Sequence, residues 1–200
     1  MKKAIIGAGG FGREVYASLP KEEQTKTVFF VDDQYWKEGS TLILPLSKFD
    51  PSEYEAVVAV GNPRDRFDMV QRLPKETKYF THIHPSVQIL GTDVEIGEGS
   101  IVCAGTIITT NIKLGKHTHL NLQTTVGHDC VIGDYFTTAP GAKISGNCII
   151  YDLVYIGTNA SVKEKITIHS LATVGMNAAV VRHIEEPGTY VGVPAKCISQ

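Results

Sequence analysis

Hydrophobic residues recur every six positions from Leu90 to Glu185, with no insertion. Cut into consecutive six-residue windows, this stretch opens fifteen of sixteen windows with Leu, Ile or Val, and Thr138 is the exception. Glycine stands second in seven of them. A strand repeats every two residues and a helix every 3.6, so neither sustains a period of six. A solenoid does, because each coil repeats the same inward positions. Three hexads give a coil of 18 residues with three short strands, and about five coils fit this stretch. The first residue of each hexad is predicted to point inward. So is the small fifth residue, as at Ser100, Thr106, Cys130, Ala142, Ala160 and Ala178.

Residues 1–80 follow another pattern. Lys3–Ile6 is a short apolar run ending in Gly7-Ala8-Gly9-Gly10-Phe11-Gly12, and helical spacing follows through Val15 and Leu19 to Pro20. Val28–Val31, closed by Asp32-Asp33, and Ala56–Val60, closed by Gly61-Asn62-Pro63, read as two more strands. Pro63 suits the first turn of a helix, and Phe67, Val70 and Leu73 then recur at helical spacing. Strands alternating with helices predict a small parallel α/β sheet. The chain is therefore expected to hold a Rossmann-like α/β domain over residues 1–83. A parallel β-helix of hexapeptide repeats with a C-terminal tail is expected over residues 84–200.

Composition narrows the function classes. The 200 residues carry 19 Lys and Arg against 21 Asp and Glu, a formal net charge of -2. That balance leaves no basic footprint for nucleic acid, and no apolar run reaches membrane-spanning length. Glycines, Arg13 and Glu14 interrupt the N-terminal stretch too early for a signal peptide. The four cysteines lack metal-ligand spacing, so a reduced, cytoplasmic protein is expected. Cys130 and Cys148 are 18 residues apart and are expected to stack as small core residues, with a disulfide as the alternative.

Three segments of the repeat region carry a likeness to known proteins. Val126-Gly127-His128-Asp129, Ala139-Pro140-Gly141-Ala142 and the tail Gly192-Val193-Pro194-Ala195-Lys196 resemble hexapeptide-repeat acyltransferases. With the Gly-rich N-terminal unit added, the whole chain resembles the sialic-acid O-acetyltransferase (NeuD-like) family. That family includes bacterial nucleotide-sugar N-acetyltransferases, such as those acting on UDP-4-amino sugars. The resemblance implies a left-handed β-helix, a homotrimer and acetyl-CoA as donor. It also implies a nucleotide sugar, a UDP-sugar by this likeness, held partly by the N-terminal domain. No metal is expected.

Acetyl transfer from a thioester needs a group to take the nucleophile's proton and donors for the oxyanion. Histidine suits the first task near neutral pH. His128, third in its hexad and near a corner, is the candidate base. The same position one coil later is Gly146, expected to leave space for substrate and to expose an N–H as oxyanion donor. Asp129 is expected to fix the imidazole tautomer. Neighbours in a strand face opposite ways, so that role requires the corner backbone to turn, or a contact across a subunit boundary. The resemblance adds an acidic residue at position 129 and matches Asn121 to a polar active-site position. It sets Thr137 where some relatives have a second histidine. It also runs the pantetheine past Gly146 and Gly157. Pro194 and Lys196 read either as contacts for the nucleotide end of CoA or as a packing cap. His117 and His119 share a strand face; they read as surface or interface histidines rather than a metal pair, since no third ligand has firm spacing.

Gly7-x-Gly9-x-x-Gly12, between a strand and a helix, fits a dinucleotide fingerprint, with Asp32 twenty residues beyond Gly12. The unit is about half of a full dinucleotide fold. That argues against a nicotinamide site; the pyrophosphate and ribose of the sugar nucleotide that the resemblance implies need the same devices. The expected substrate contacts are Gly9, Gly10, Phe11, Gly12, Asp32, Asp33, Gly61, Asn62 and Arg64, with a plain surface charge as the alternative for Arg64. The expected activity is N-acetylation of a nucleotide-activated amino sugar for surface glycans. The alternatives are O-acetylation of a sialic-acid-like sugar, or a non-catalytic nucleotide-sugar-binding partner of a glycan enzyme. The His128-Asp129 pair speaks against the last.

Overall fold

The computed structural model describes residues 1–199. Its N-terminal sheet has five parallel strands, β1 (Lys2–Ile6), β2 (Thr27–Val31), β3 (Ile43–Pro45), β4 (Tyr54–Val58) and β5 (Lys78–Tyr79), in the order β3-β2-β1-β4-β5. Helix α1 (Gly10–Ser18) follows β1, the single turn α2 (Lys21–Gln24) precedes β2, and α3 (Pro63–Arg72) follows β4. The three strands read from the sequence are present with shifted ends. β3 and β5, of three and two residues, are too short for a pattern to announce. Chain direction across the sheet reverses between β1 and β4. Open α/β sheets bind ligands outside the strand ends at such a point. The turns after those two strands are Gly7–Gly9 and Ala59–Asn62. A Cβ on Gly12 would collide with the Gly7 carbonyl, so glycine is what lets α1 start this close to β1.

From His82 the chain winds into a three-sided prism, a left-handed parallel β-helix. Face one stacks six strands from His82–Ile83 to Ala172–Val174, then adds Gly188–Val191 and the antiparallel Lys196–Ser199. Face two stacks six, from Gln88–Ile89 to Ala179–Val180, and face three stacks five, from Val94–Ile96 to Thr167–Ile168. The register advances by 18 residues, so Ile108, Val126, Ile144, Val162 and Val180 lie above one another.

The inward positions are as the period predicts. Every hexad's first residue from Val102 to Val180 is at most 4% exposed, while Leu90, on the open first coil, is 62% exposed. The fifth residues Ser100, Thr106, Cys130, Ala142, Ala160 and Ala178 are buried, and Cys130 and Cys148 are core residues with free thiols. Thr138 departs from the aliphatic rule for a local reason. Its buried hydroxyl accepts from the Asn121 N–H at 3.0 Å and meets the Thr124 hydroxyl at 2.8 Å, holding the neighbouring corner.

The corners have a rule of their own. The fourth residue of every hexad from Gly99 to Asn177 has a positive φ. Asn111, Asn147, Asn159 and Asn177 adopt that geometry readily, whereas Leu153, Lys165 and Leu171 hold it only because the coil imposes it. Asp129 is one of these residues, with φ at 60°.

Candidate active site

His128 lies at the corner between the face-two strand Thr125–Val126 and the face-three strand Val131–Ile132. The left-handed backbone at Asp129 swings its carboxylate back onto the imidazole, and Oδ2 lies 2.6 Å from His128 Nδ1. Asn111, one coil away, donates to the other carboxylate oxygen at 2.6 Å. The His128 bond, and after it the Asn111 bond, hold the Asp129 carboxyl below the usual carboxylate range. An ionised Asp129 accepts the Nδ1 proton, and Nε2 is left with its lone pair free. Both side chains are accessible, at 59% and 44%. The corner turn that the sequence reading required is thus present within one chain.

Gly146 faces the imidazole from the next coil. A Cβ built there would lie 2.7 Å from His128 Cε1 and Nε2. The glycine therefore makes room for the ring itself, not for substrate as the sequence suggested. Its carbonyl accepts from Lys165 N at 3.0 Å, and among the described residues its N–H makes no hydrogen bond.

A separate cleft of about 800 Å³ lies between the α/β unit and face one. Gly10, Phe11 and Glu14 from α1, and Gly61, Asn62, Pro63 and Arg64 at the start of α3, form one wall. The other wall carries Asn121, Leu122, Ala139 and Pro140 from one corner, and Thr137, Tyr155 and Thr173, which stack in register. Glu14, Tyr155 and Thr173 were missed from the sequence. The 18-residue register would have found the last two, as outward neighbours of Thr137. Gly9 caps α1 without a side-chain bond, leaving first-turn N–H groups available. The Asn62 side chain caps α3, accepting from Arg64 N at 2.9 Å and Asp65 N at 3.3 Å.

The remaining candidates are dispersed. Asn121 and Gly157 share the corner between faces one and two, a whole face away from His128 and Gly146. A Cβ on Gly157 would lie 2.6 Å from Met176 N, so that glycine serves close stacking of coils. Asp32 is held by Arg72 through two bonds of 2.6 and 2.9 Å, which keep its carboxyl below the usual range. Asp33 accepts from Ser47 N and Oγ at 3.2 and 3.1 Å. Neither aspartate lines the cleft. Pro194 and Lys196 are exposed on the tail beyond the last coil.

His117 and His119 are buried where the α/β unit covers face one. Arg66 Nη1 donates to His119 Nδ1 at 3.0 Å. A guanidinium bonded to this imidazole repels a second cation, so the pair does not suit a metal. The His117 ring stacks on Tyr135, with centroids 5.1 Å apart, and its Nδ1 has no partner. Burial first, then Arg66, pushes His117 down to about 4 and His119 well below the ordinary histidine range. Unfolded histidine titrates near about 6.5, so on acidification the unfolded chain takes up protons before the fold does. Stability is expected to be complete above about pH 6.5 and to fall as the pH drops toward 4. His117→Phe keeps the ring packing and breaks no ring hydrogen bond. It should remove about one proton's worth of slope, ~1.4 kcal/mol per pH unit, in thermal denaturation across this range. An unchanged slope would show that His117 is charged in the fold.

Comparison with known proteins agrees with this architecture. Residues 2–73 match the PglD N-terminal domain. A GDP-perosamine N-acetyltransferase from Escherichia coli O157:H7 is 32% identical over 150 residues, 70% of this chain and 67% of the relative. WeeI from Acinetobacter baumannii AYE superposes with a TM-score of 0.87 at 36% identity, covering 99% of this chain and 100% of that one. The acetyltransferase domain of PglB from Neisseria gonorrhoeae FA1090, solved with acetyl coenzyme A, gives 0.87 at 30% identity and 98% of both chains. A Gly-turn α/β unit set on a hexapeptide prism, with a carboxylate-paired histidine at its corner, thus places this chain in the family of acetyl-CoA-dependent sugar acetyltransferases that carry a PglD-type N-terminal domain.

Proposed function

We propose that the chain transfers the acetyl group of acetyl-CoA to the amine of a nucleotide-activated amino sugar used in surface-glycan synthesis. The observation that carries the reading is the His128–Asp129 pair, with Nε2 free beside the unbonded N–H of Gly146. The neutral amine adds to the thioester carbonyl carbon, and its proton passes to Nε2. The Gly146 N–H faces the resulting oxyanion. The C–S bond then breaks, and the departing thiolate takes the proton from the imidazolium. Asp129 steadies that imidazolium and holds its orientation.

The cleft supplies the acceptor side. The uncapped N-terminus of α1 and the Arg64 side chain converge on it, which suits a diphosphate. The base, uridine by the sequence likeness and guanosine in the name of one relative, is an outcome of the assay. His128 and the cleft lie on different sides of the prism, so the complete site takes His128 from one copy and the cleft from another. The sequence likeness, which implies a homotrimer, supports sites shared between copies. So does face three, which starts beside the His128 corner and exposes the stacked Val131 and Ile149. The test is CoA thiol release with acetyl-CoA and a panel of UDP- and GDP-linked 4-amino sugars, their hydroxyl counterparts and a sialic acid. Turnover confined to the amino sugars is expected. Release only with hydroxyl acceptors would replace the proposal with O-acetylation, and binding without release would leave a non-catalytic module.

A further inference from the structure

Arg66, on α3, is completely buried, and among the described residues it has no carboxylate partner. Its donors reach three separate chain segments. Nη1 donates to the Val60 and Gly61 carbonyls at 2.7 and 3.3 Å and to His119 Nδ1 at 3.0 Å. Nε donates to the His117 carbonyl at 3.0 Å. Nη2 donates to the Tyr135 and Phe136 carbonyls at 2.8 and 3.3 Å, and to Thr137 Oγ1 at 2.7 Å. Among the described residues, the carbonyls of Val60, Gly61, His117 and Tyr135 accept no other hydrogen bond.

The placement is specific. Val60 and Gly61 form the turn that carries Asn62 and Arg64, one wall of the cleft. His119 and Thr137 belong to two successive coils and lie on the opposite wall. Burial lowers the guanidinium to about 9, so it remains charged at neutral pH. Removing a cation from water without a counter-charge is costly. An apolar plug would avoid that cost but would strand four carbonyls. Only a planar fork of five N–H donors reaches all these acceptors together.

We propose that Arg66 is a positioning residue that fixes the width of the cleft and the seating of the α/β unit along the solenoid. This rests on the reading of the cleft as the nucleotide-sugar site. Arg66 touches neither substrate. It acts through the Gly61–Arg64 turn, which it clamps to two coils at once. Lysine has one ammonium and cannot span the three segments, so the turn is released while the solenoid and His128 are untouched.

The experiment compares the wild-type protein with Arg66→Lys and Arg66→Gln in steady-state kinetics and amide hydrogen exchange. In the lysine variant, KM for the nucleotide sugar is expected to rise about tenfold or more, with kcat and KM for acetyl-CoA within about twofold. Exchange at Arg64 and Asp65, whose N–H groups bond to Asn62, should speed by a similar factor, while Ile149 and Ile150, far from the clamp, keep their protection. A fall in kcat with both KM values unchanged would mean that Arg66 only maintains the folded fraction, and would overturn the proposal. So would unchanged exchange at the turn. Should wild type neither bind nor turn over any nucleotide sugar, the functional reading fails, and the exchange result still decides whether Arg66 clamps the turn. If the glutamine variant does not fold, the lysine variant carries the test.

Discussion

His128→Ala is expected to lower kcat by about 10²–10⁴-fold, the range for losing a positioned general base. The melting temperature should barely move, because the side chain is 59% exposed and its single bond is to an exposed carboxylate. Nothing nearby replaces it: the same column holds Thr110 one coil earlier and Gly146 one coil later. The decisive form of the experiment uses mixed oligomers. His128→Ala and Asn121→Ala should each be impaired alone, for lack of a base and of a cleft residue. Co-expressed in equal amounts, they should recover about one quarter of wild-type activity. In a trimer with shared sites, each mixed species holds one intact pairing. No recovery would place His128 and Asn121 in the same chain's site and remove the case for a site between copies. Retention of wild-type kcat by His128→Ala would remove the base itself.

Phe136→Ala is expected to lower stability by about 3–5 kcal/mol and the melting temperature by roughly 10 °C for a chain of this size. Phe136 is fifth in its hexad, where most coils carry Ser, Thr, Cys or Ala, and it is 0% exposed. It fills the prism between Thr118 one coil before and Val154 one coil after. The void left by alanine cannot close easily. The backbone is pinned on both sides, with the Phe136 carbonyl bonded to His119 N at 2.8 Å and to Arg66 at 3.3 Å. Calorimetry or thermal circular dichroism reads the shift. A drop of only a few degrees would mean that neighbouring coils relax inward despite their ladder bonds.

The prism was legible because a period of six is felt at every coil, so fifteen aliphatic window openings reinforce one assignment. The corner geometry was written in the same sequence less loudly. The fourth positions hold Gly, Asn, Asp, His, Gln, Tyr, Lys and Leu, and share only the lack of a β-branched residue. Reading that absence would have given the turn at Asp129. Arg66 was not legible. A lone arginine on an amphipathic helix looks solvated, and its acceptors lie as far as 71 residues away. Asp32 was misleading for a related reason: its position after a strand suits a ribose, yet Arg72, 40 residues on, already occupies it. Asn121, matched by resemblance to an active-site position, lies apart from His128 within one chain, because seven residues on a three-sided coil carry the chain past a whole face.

The unvarying 18-residue register makes the prism a ruler. Any length measured along it, from the His128 corner to the C-terminal tail, comes in whole rungs of about 4.8 Å. Excising one full coil would preserve every stacked column and shorten that reach by a single graduation. The prism can thus be lengthened or shortened by counting rungs, without redesigning the interior.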